Sequence, residues 1–266
     1  MNRIGFTLLF LGTFLFLSTS CQNFFWSHRC CDADTASTVY GYVYNWWAAI
    51  GDTDGDGITD KQITSSDSWR VPIYSDWQTL ADHVDPDWTY VSNTIGSQLK
   101  TVGFDYWLDS GDSLDYGTDT DGFSARGTGE RSIVTGDYIN AKATLYLWRQ
   151  EESTTTTNGM VVQFSSTEYR LVMPSNATTG RTIDKNAGVS IRLVKNSTTL
   201  NDGETGVYVG NNGKAYPTIC IGTQEWIQVN LEETEWRDGT AIPQTGWDAA
   251  GNAEWIAATS AAMSIP

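Results

Sequence analysis

Nine residues hold the densest chemistry in this chain: Asp52 to Asp60, DTDGDGITD. Asp52, Asp54 and Asp56 alternate with small residues, and a tight turn would aim their carboxylates inward. Calcium takes oxygen ligands, and these acids fall at the first, third and fifth places of a calcium loop. Gly57 holds the sixth place, where such a loop turns sharply. The carbonyl of Ile58 would be the seventh-place ligand, and Asp60 falls at the ninth. The twelfth place is Ile63 instead of a bidentate acid, so water or a distant acid must complete the shell. The expectation is a structural calcium ion held at about 0.1–1 mM affinity. The alternative is a solvated polar turn, for which Asp-Gly pairs are ordinary material. Three alternate acids with the glycine in place favour calcium.

Catalytic chemistry is harder to assemble. The only histidines are His28 and His83, neither beside an obvious nucleophile, and no cysteine spacing fits zinc. Glu151 and Glu152 are paired carboxylates, but neighbours on a strand point to opposite faces. No enzyme is expected. A recognition face is expected instead from loop residues Trp88, Tyr106, Trp107 and Arg149, because exposed aromatics and arginines make good contact residues. The small polar stretches QEESTTTTN, at 150–158, and SNATTGRT suit adaptable hydrogen bonding.

The elements that must position these groups are written in aromatics and glycine. With 12 Trp, 12 Tyr and 25 Gly in 266 residues, the chain reads as many short strands joined by tight turns. A net charge of -16 argues against a nucleic-acid partner, since phosphate binding needs lysine and arginine. The clearest helix is WRVPIYSDWQTLADHV, where Ser75 and Gln78 form a capping box and Trp77, Leu80, Ala81 and Val84 share a face. Pro86 ends it. A second helix is expected over Val91 to Thr101. Strands are expected at Leu145–Trp148, Met160–Ser165 and Tyr169–Met173. In GVSIRLV, Val189, Ile191 and Leu193 alternate with Ser190 and Arg192, as a half-buried strand does. Ile227, Val229 and Leu231 repeat that alternation. The fold class is α+β, with helices apart from an antiparallel sheet.

The N-terminus, MNRIGFTLLFLGTFLFLSTSC, reads as an export signal, with Arg3 before an apolar run and small residues before Cys21. Cys21 stands where a bacterial lipoprotein is cleaved and lipidated; plain secretion and a retained anchor remain open. Membrane contact is expected only through that lipid or signal segment. Of the other cysteines, Cys30 or Cys31 can reach Cys220, or all three stay unpaired.

The blocks YGYVYNWW, WRVPIYSDWQTL, GSQLK, DGFSARGTGER, LYLWRQEES and GVSIRLV run in order across Tyr40 to Lys195. Together they resemble the Fibrobacter succinogenes major paralogous domain, common in bacterial surface proteins and some phages. The resemblance implies a C-type lectin-like fold, with a small twisted antiparallel sheet, two helices and long loops. With the export signal and a linker read from composition, the chain divides into a signal segment (1–21), a tether (22–38), the domain (39–195), a linker (196–206) and a tail (207–266). The tail, with GKAYPTICIGTQEWIQVNLEETEWRDGTAIP, looks like the family's opening segment moved behind the domain. Two explanations stay open: a circular permutation, with Trp226–Leu231 pairing against Val189–Val194, or a truncated tandem. The lectin-like formylglycine-generating enzymes use reactive cysteine, and none lies within Tyr40 to Lys195. Nor does the chain hold a Glu-Pro-Asn or Gln-Pro-Asp tripeptide, so the resemblance does not bring a sugar ligand with it. The functional expectation is an exported surface module that binds a protein or glycan through loops, with a hydrolase or a head-to-tail structural subunit as alternatives.

Overall fold

The computed structural model describes residues 39–88, 92–109, 111, 117–153, 155–165 and 182–265. It is a mixed α+β structure of small antiparallel sheets and short helices. The expected strand at Tyr169–Met173 and the SNATTGRT turn, except its last residue Thr182, lie outside the described residues, as do Cys21, Cys30, Cys31 and the signal and tether segments.

The central pair is β4 (Thr144–Glu152) against β5 (Asn158–Ser165), in register from Thr144↔Ser165 to Trp148↔Val161, with β6 (Thr182–Asp184) on the far side of β5. Leu145 to Trp148 are all buried, because this strand divides two cores. Alternation sends Leu145 and Leu147 to one face with Trp77, Leu80, Ile95 and Leu99. Tyr146 and Trp148 go to the other, with Trp46, Trp69, Ile191 and Trp236. The strand facing Trp46 must carry no side chain at one point: a Cβ on Gly159 would lie 2.3 Å from the indole.

Helix α1 (Trp46–Ile50) starts at Asn45, whose Oδ1 accepts the Ala48 N–H at 3.0 Å, and stops at Gly51 in the left-handed conformation, φ 77°. Helix α2 (Tyr74–Val84) buries Trp77, Leu80 and Ala81, as the periodicity predicts, and ends before Pro86. Its cap differs from the Ser75–Gln78 box. The helix starts earlier, and Asp76 reaches back to accept the Ile73 N–H at 2.8 Å. Arg70 also forks onto this buried carboxylate, which explains why Asp76 outcompetes the exposed Ser75 for the capping role. The second expected helix is shorter than Val91 to Thr101: α3 covers Asn93–Leu99, with the Ser92 hydroxyl accepting the Ile95 N–H at 3.2 Å.

GVSIRLV departs from the half-buried strand its alternation predicts. Only Val194–Lys195 is regular strand (β7), and Ser190 and Arg192 are as buried as Val189 and Ile191. The second face is covered by chain that supplies acceptors. Arg192 donates to the carbonyls of Phe123 (2.7 Å), Ile227 (2.8 Å) and Ser124 (2.9 Å), and to Asn230 Oδ1 (2.8 Å).

The tail folds onto the same body. Strands β8 (Thr205–Val209), β9 (Ala215–Ile221) and β10 (Gln224–Ile227) join β7 in the order β7-β10-β9-β8. Trp226 faces Val194, and the Leu231 N–H donates to the Ile191 carbonyl at 2.9 Å. Thr205 and Gly206, placed in the linker by composition, already belong to β8. Further on, α4 (Ala249–Ile256) is capped by Asp248, and β11 (Met263–Ser264) pairs with β1 (Val43–Tyr44). Two other short strands, β2 (Glu130–Arg131) and β3 (Tyr138–Ile139), form a hairpin beside α4. Among the described residues no helix is long and apolar enough to cross a membrane.

Candidate metal centre

The aspartate loop closes on the end of α1. The Gly51 carbonyl accepts the N–H groups of Asp60 (2.9 Å) and Lys61 (3.0 Å), which ties the two ends of the loop together. Only glycine fits at the join, because a Cβ on Gly51 would sit 1.8 Å from the Lys61 carbonyl oxygen. Asp52 is fully buried and organises the turn from inside. Its Oδ1 accepts the N–H groups of Asp54 (3.2 Å) and Gly55 (2.6 Å), and its Oδ2 accepts that of Gly57 (2.7 Å). A carboxylate offers about four acceptor sites, so one of Asp52's remains for a ligand.

Oxygens of Asp52, Asp54 and Asp60 lie within 4.8 Å of one another. Ligand oxygens about 2.4 Å from one calcium ion are separated by no more than about twice that distance, so three carboxylates fit a shared ion. Asp60 is held below the usual carboxylate range, first by the N–H and then by the hydroxyl of Thr53, with Lys61 adding to the effect. Asp56 stands outside this group, and its Oδ1 accepts the Ile58 N–H at 2.8 Å. Ile58, expected to lend only its carbonyl, turns its side chain outward at 64% exposure. The residues thus fit a cation through three carboxylates, fewer than the alternation alone suggests.

The tail flanks the loop. A Cβ on Gly55 would lie 2.2 Å from the Thr259 carbonyl oxygen, and Lys61 pairs with Asp238 at 3.0 Å. Arg237 donates Nε–H to the Thr64 carbonyl at 2.7 Å. An open depression lies between, lined by Asp60, Lys61, Gln62, Arg237 and Asp238.

The four expected contact residues do not form one exposed face. Trp107 is 1% exposed and donates Nε1–H to the Ala125 carbonyl at 3.0 Å, so it is core. Arg149 is 3% exposed, bound to Glu151 at 3.1 Å and stacked over Tyr74. Composition marks aromatic and cationic residues without saying which way they turn: Trp107 turns inward, and Arg149, expected in a loop, lies in β4 with its side chain buried. Trp88 and Tyr106 are half-buried: Trp88 donates to Asp82 at 2.6 Å, and Arg126 lies over the Tyr106 ring. Glu151 and Glu152 point apart, one to the Tyr74 N–H and the other to Lys185. His83, in the last turn of α2, stands 3.5 Å from Asp202. Cys220 is buried and unpaired among the described residues.

Buried charge is what sequence reading missed. Arg131, Arg192 and Glu233 are each fully buried. Arg131 lies between the indoles of Trp247 and Trp255, at 4.2 and 4.6 Å from their centres. Burial lowers Arg131 to about 10 and Arg192 to about 9, so both stay cationic at neutral pH. The one signal in the sequence was Arg192 itself, a charged residue inside an otherwise apolar run.

The model of a known family, the Fibrobacter succinogenes major domain, matches residues 21–195, well over half of the chain. No curated protein and no solved structure matches.

Proposed function

The chain belongs to the Fibrobacter succinogenes major domain family, and from that premise we propose that it is an exported, cell-surface binding module with a calcium-stabilised loop. The observation that carries the reading is the convergence of Asp52, Asp54 and Asp60 on one point of a loop already closed by backbone hydrogen bonds. Calcium there pins the turn; the remaining ligands come from water, Asp56 or the Ile58 carbonyl. Extracellular calcium matches the modest affinity of a site with few carboxylates. The fold is read as C-type lectin-like, on the strength of the small sheets, short helices and long connections.

Recognition of a protein or glycan falls to Trp88 and Tyr106, the two of the expected contact residues that stay partly exposed. Binding is favoured over catalysis because Glu151, Glu152 and Asp76 are already engaged by neighbours within the fold. The apolar N-terminal segment and Cys21, read as an export signal, support an outer-membrane lipoprotein or a secreted protein. The test is binding of the purified protein to arrays of glycans and surface proteins, with calcium and with chelator. Binding that weakens about tenfold in Trp88→Ala or Tyr106→Ala supports the reading. Binding unchanged in both variants refutes the assigned face.

A further inference from the structure

We infer that His83 is a proton-operated clasp between body and tail: once charged, its imidazole draws on the carboxylates of Asp202 and Asp121 together and tightens the seam as pH falls. His83 is the one histidine among the described residues, and it sits in the last turn of α2, on the body. Its Nε2 stands 3.5 Å from Asp202 Oδ1, in the linker. The same Oδ1 accepts the Gly222 N–H at 2.7 Å, which ties Asp202 to the turn between β9 and β10. That turn packs against the imidazole, because a Cβ on Gly222 would lie 3.0 Å from both Cγ and Nδ1 of His83. The Gly203 N–H donates to the Cys220 carbonyl at 2.8 Å, and the Cys220 N–H donates to the Glu204 carbonyl at 2.9 Å. Linker and tail therefore meet α2 at His83 as one piece.

The third side of the seam is the body's turn at 119–124. Gln228, in the tail, donates to the Gly122 carbonyl at 2.9 Å. Beside it, Asp121 holds a buried Oδ2 that meets no hydrogen-bond donor among the described residues. Burial pushes the Asp121 carboxyl up; the His83 charge pulls it down, and Asp202 and Asp119 push it up further. The other charged groups around the seam are already engaged. Asp119 accepts the Ser124 N–H and hydroxyl, both at 2.7 Å, and its charge also acts on Arg192. On α2, Asp82 holds the Trp88 indole and Asp85 the Ser92 hydroxyl. On the tail side, Glu204 accepts the Asn201 N–H at 2.8 Å and Glu225 pairs with Lys195 at 3.0 Å. Burial, with Asp202, Glu225 and Glu204, raises the Cys220 thiol, which keeps it neutral. Imidazole is the side chain that ordinarily changes charge between pH 5 and 8. Neutral, it offers one N–H; protonated, it offers two donors and a positive charge to the acids around it. By linkage, a proton held more tightly in the closed seam stabilises that seam as pH falls. Asp121 acts in the same direction. A carboxyl raised in the folded state contributes fully below its unfolded value, near 3.8, and the contribution shrinks as pH rises through the folded value.

Thermal melts of the full chain at pH 5.5 and pH 8 test the clasp. His83→Gln should lower Tm by about 2–4 °C at pH 5.5 and by less than about 1 °C at pH 8, the scale of a partly exposed ion pair in a chain of this size. Asp202→Asn should reproduce the loss at pH 5.5, and the double variant should lose no more than either single one. A histidine that only packs would give the same gap at both pH values. An equal gap, or losses that add in the double variant, overturns the inference. Should either variant fail to fold, amide exchange in the wild-type chain decides. Corrected for the intrinsic effect of pH, protection of the Gly203 and Gly222 N–H groups should rise from pH 8 to pH 5.5 more than protection across β4. Protection that changes equally in both places overturns the clasp.

Discussion

Glu233, in the tail, is fully buried beside the β8–β9 turn, and its Oε2 accepts the Asn211 N–H at 2.8 Å. Burial pushes its carboxyl up, against the lowering pull of the Tyr216 hydroxyl and of the Asn211 and Asn212 N–H groups. A carboxyl raised in the folded state binds its proton more tightly there than in the unfolded chain. Its stabilising effect is therefore full below the unfolded value, near 4.5, and shrinks as pH rises toward the folded value. Glu233→Gln removes that titration, so the variant should lose less stability than the wild type between pH 4 and pH 7. Urea midpoints across that range check this; parallel curves would contradict it. The aspartate loop shows how far single residues are legible. Alternation and glycine placement located the loop, and three of its four carboxylates converge. What spacing does not reveal is that Asp52 is buried and bound by three N–H groups, because those bonds depend on the turn the chain actually takes.

Elements were legible where a period was long and its environment simple. Helix α2 has one apolar face and one solvent face, so its core residues followed from 3.6-residue spacing. GVSIRLV has a period of two, which reads as one wet face, yet both faces are dry. The segments that cover the second face, around Phe123 to Thr128 and Ile227 to Asn230, lie tens of residues away in sequence, and local pattern carries no record of them. Helix α4 was missed for a related reason: AAGNAEWI is short and its one large buried side chain, Trp255, packs on Arg131. That joint gives a prediction. Arg131→Met keeps the apolar stem between the two indoles but abandons the acceptors at Gly136, Thr245, Gly246 and Asn252. Leaving several buried acceptors unpaired should cost at least ~3 kcal/mol. Urea unfolding followed by tryptophan fluorescence measures it, and a loss under ~1 kcal/mol would show that the joint contributes little.

At the scale of the whole molecule, the family match ends at Lys195, but the folded body does not. The tail closes the sheet beyond β7, pairs with β1 and braces the aspartate loop through Thr259, Arg237 and Asp238. The α+β class followed from the sequence because short alternating runs and two periodic segments are local features. How the sheets share cores did not, since that depends on contacts between distant segments.

The central claim is a cation in the aspartate loop, and a thermal melt of the purified protein with calcium and then with excess chelator tests it most directly. A site filled at about 100 times its dissociation constant adds ~2.7 kcal/mol, which for a chain of this size raises Tm by about 5–10 °C. Asp54→Asn, at an exposed member of the carboxylate cluster, should abolish that rise while leaving the melt in chelator unchanged. Asp52→Asn should lower the melt even in chelator, because an amide cannot accept all three N–H groups that the carboxylate holds. No rise with calcium, or a rise that survives Asp54→Asn, would contradict the account and leave DTDGDGITD a turn built by Asp52 alone.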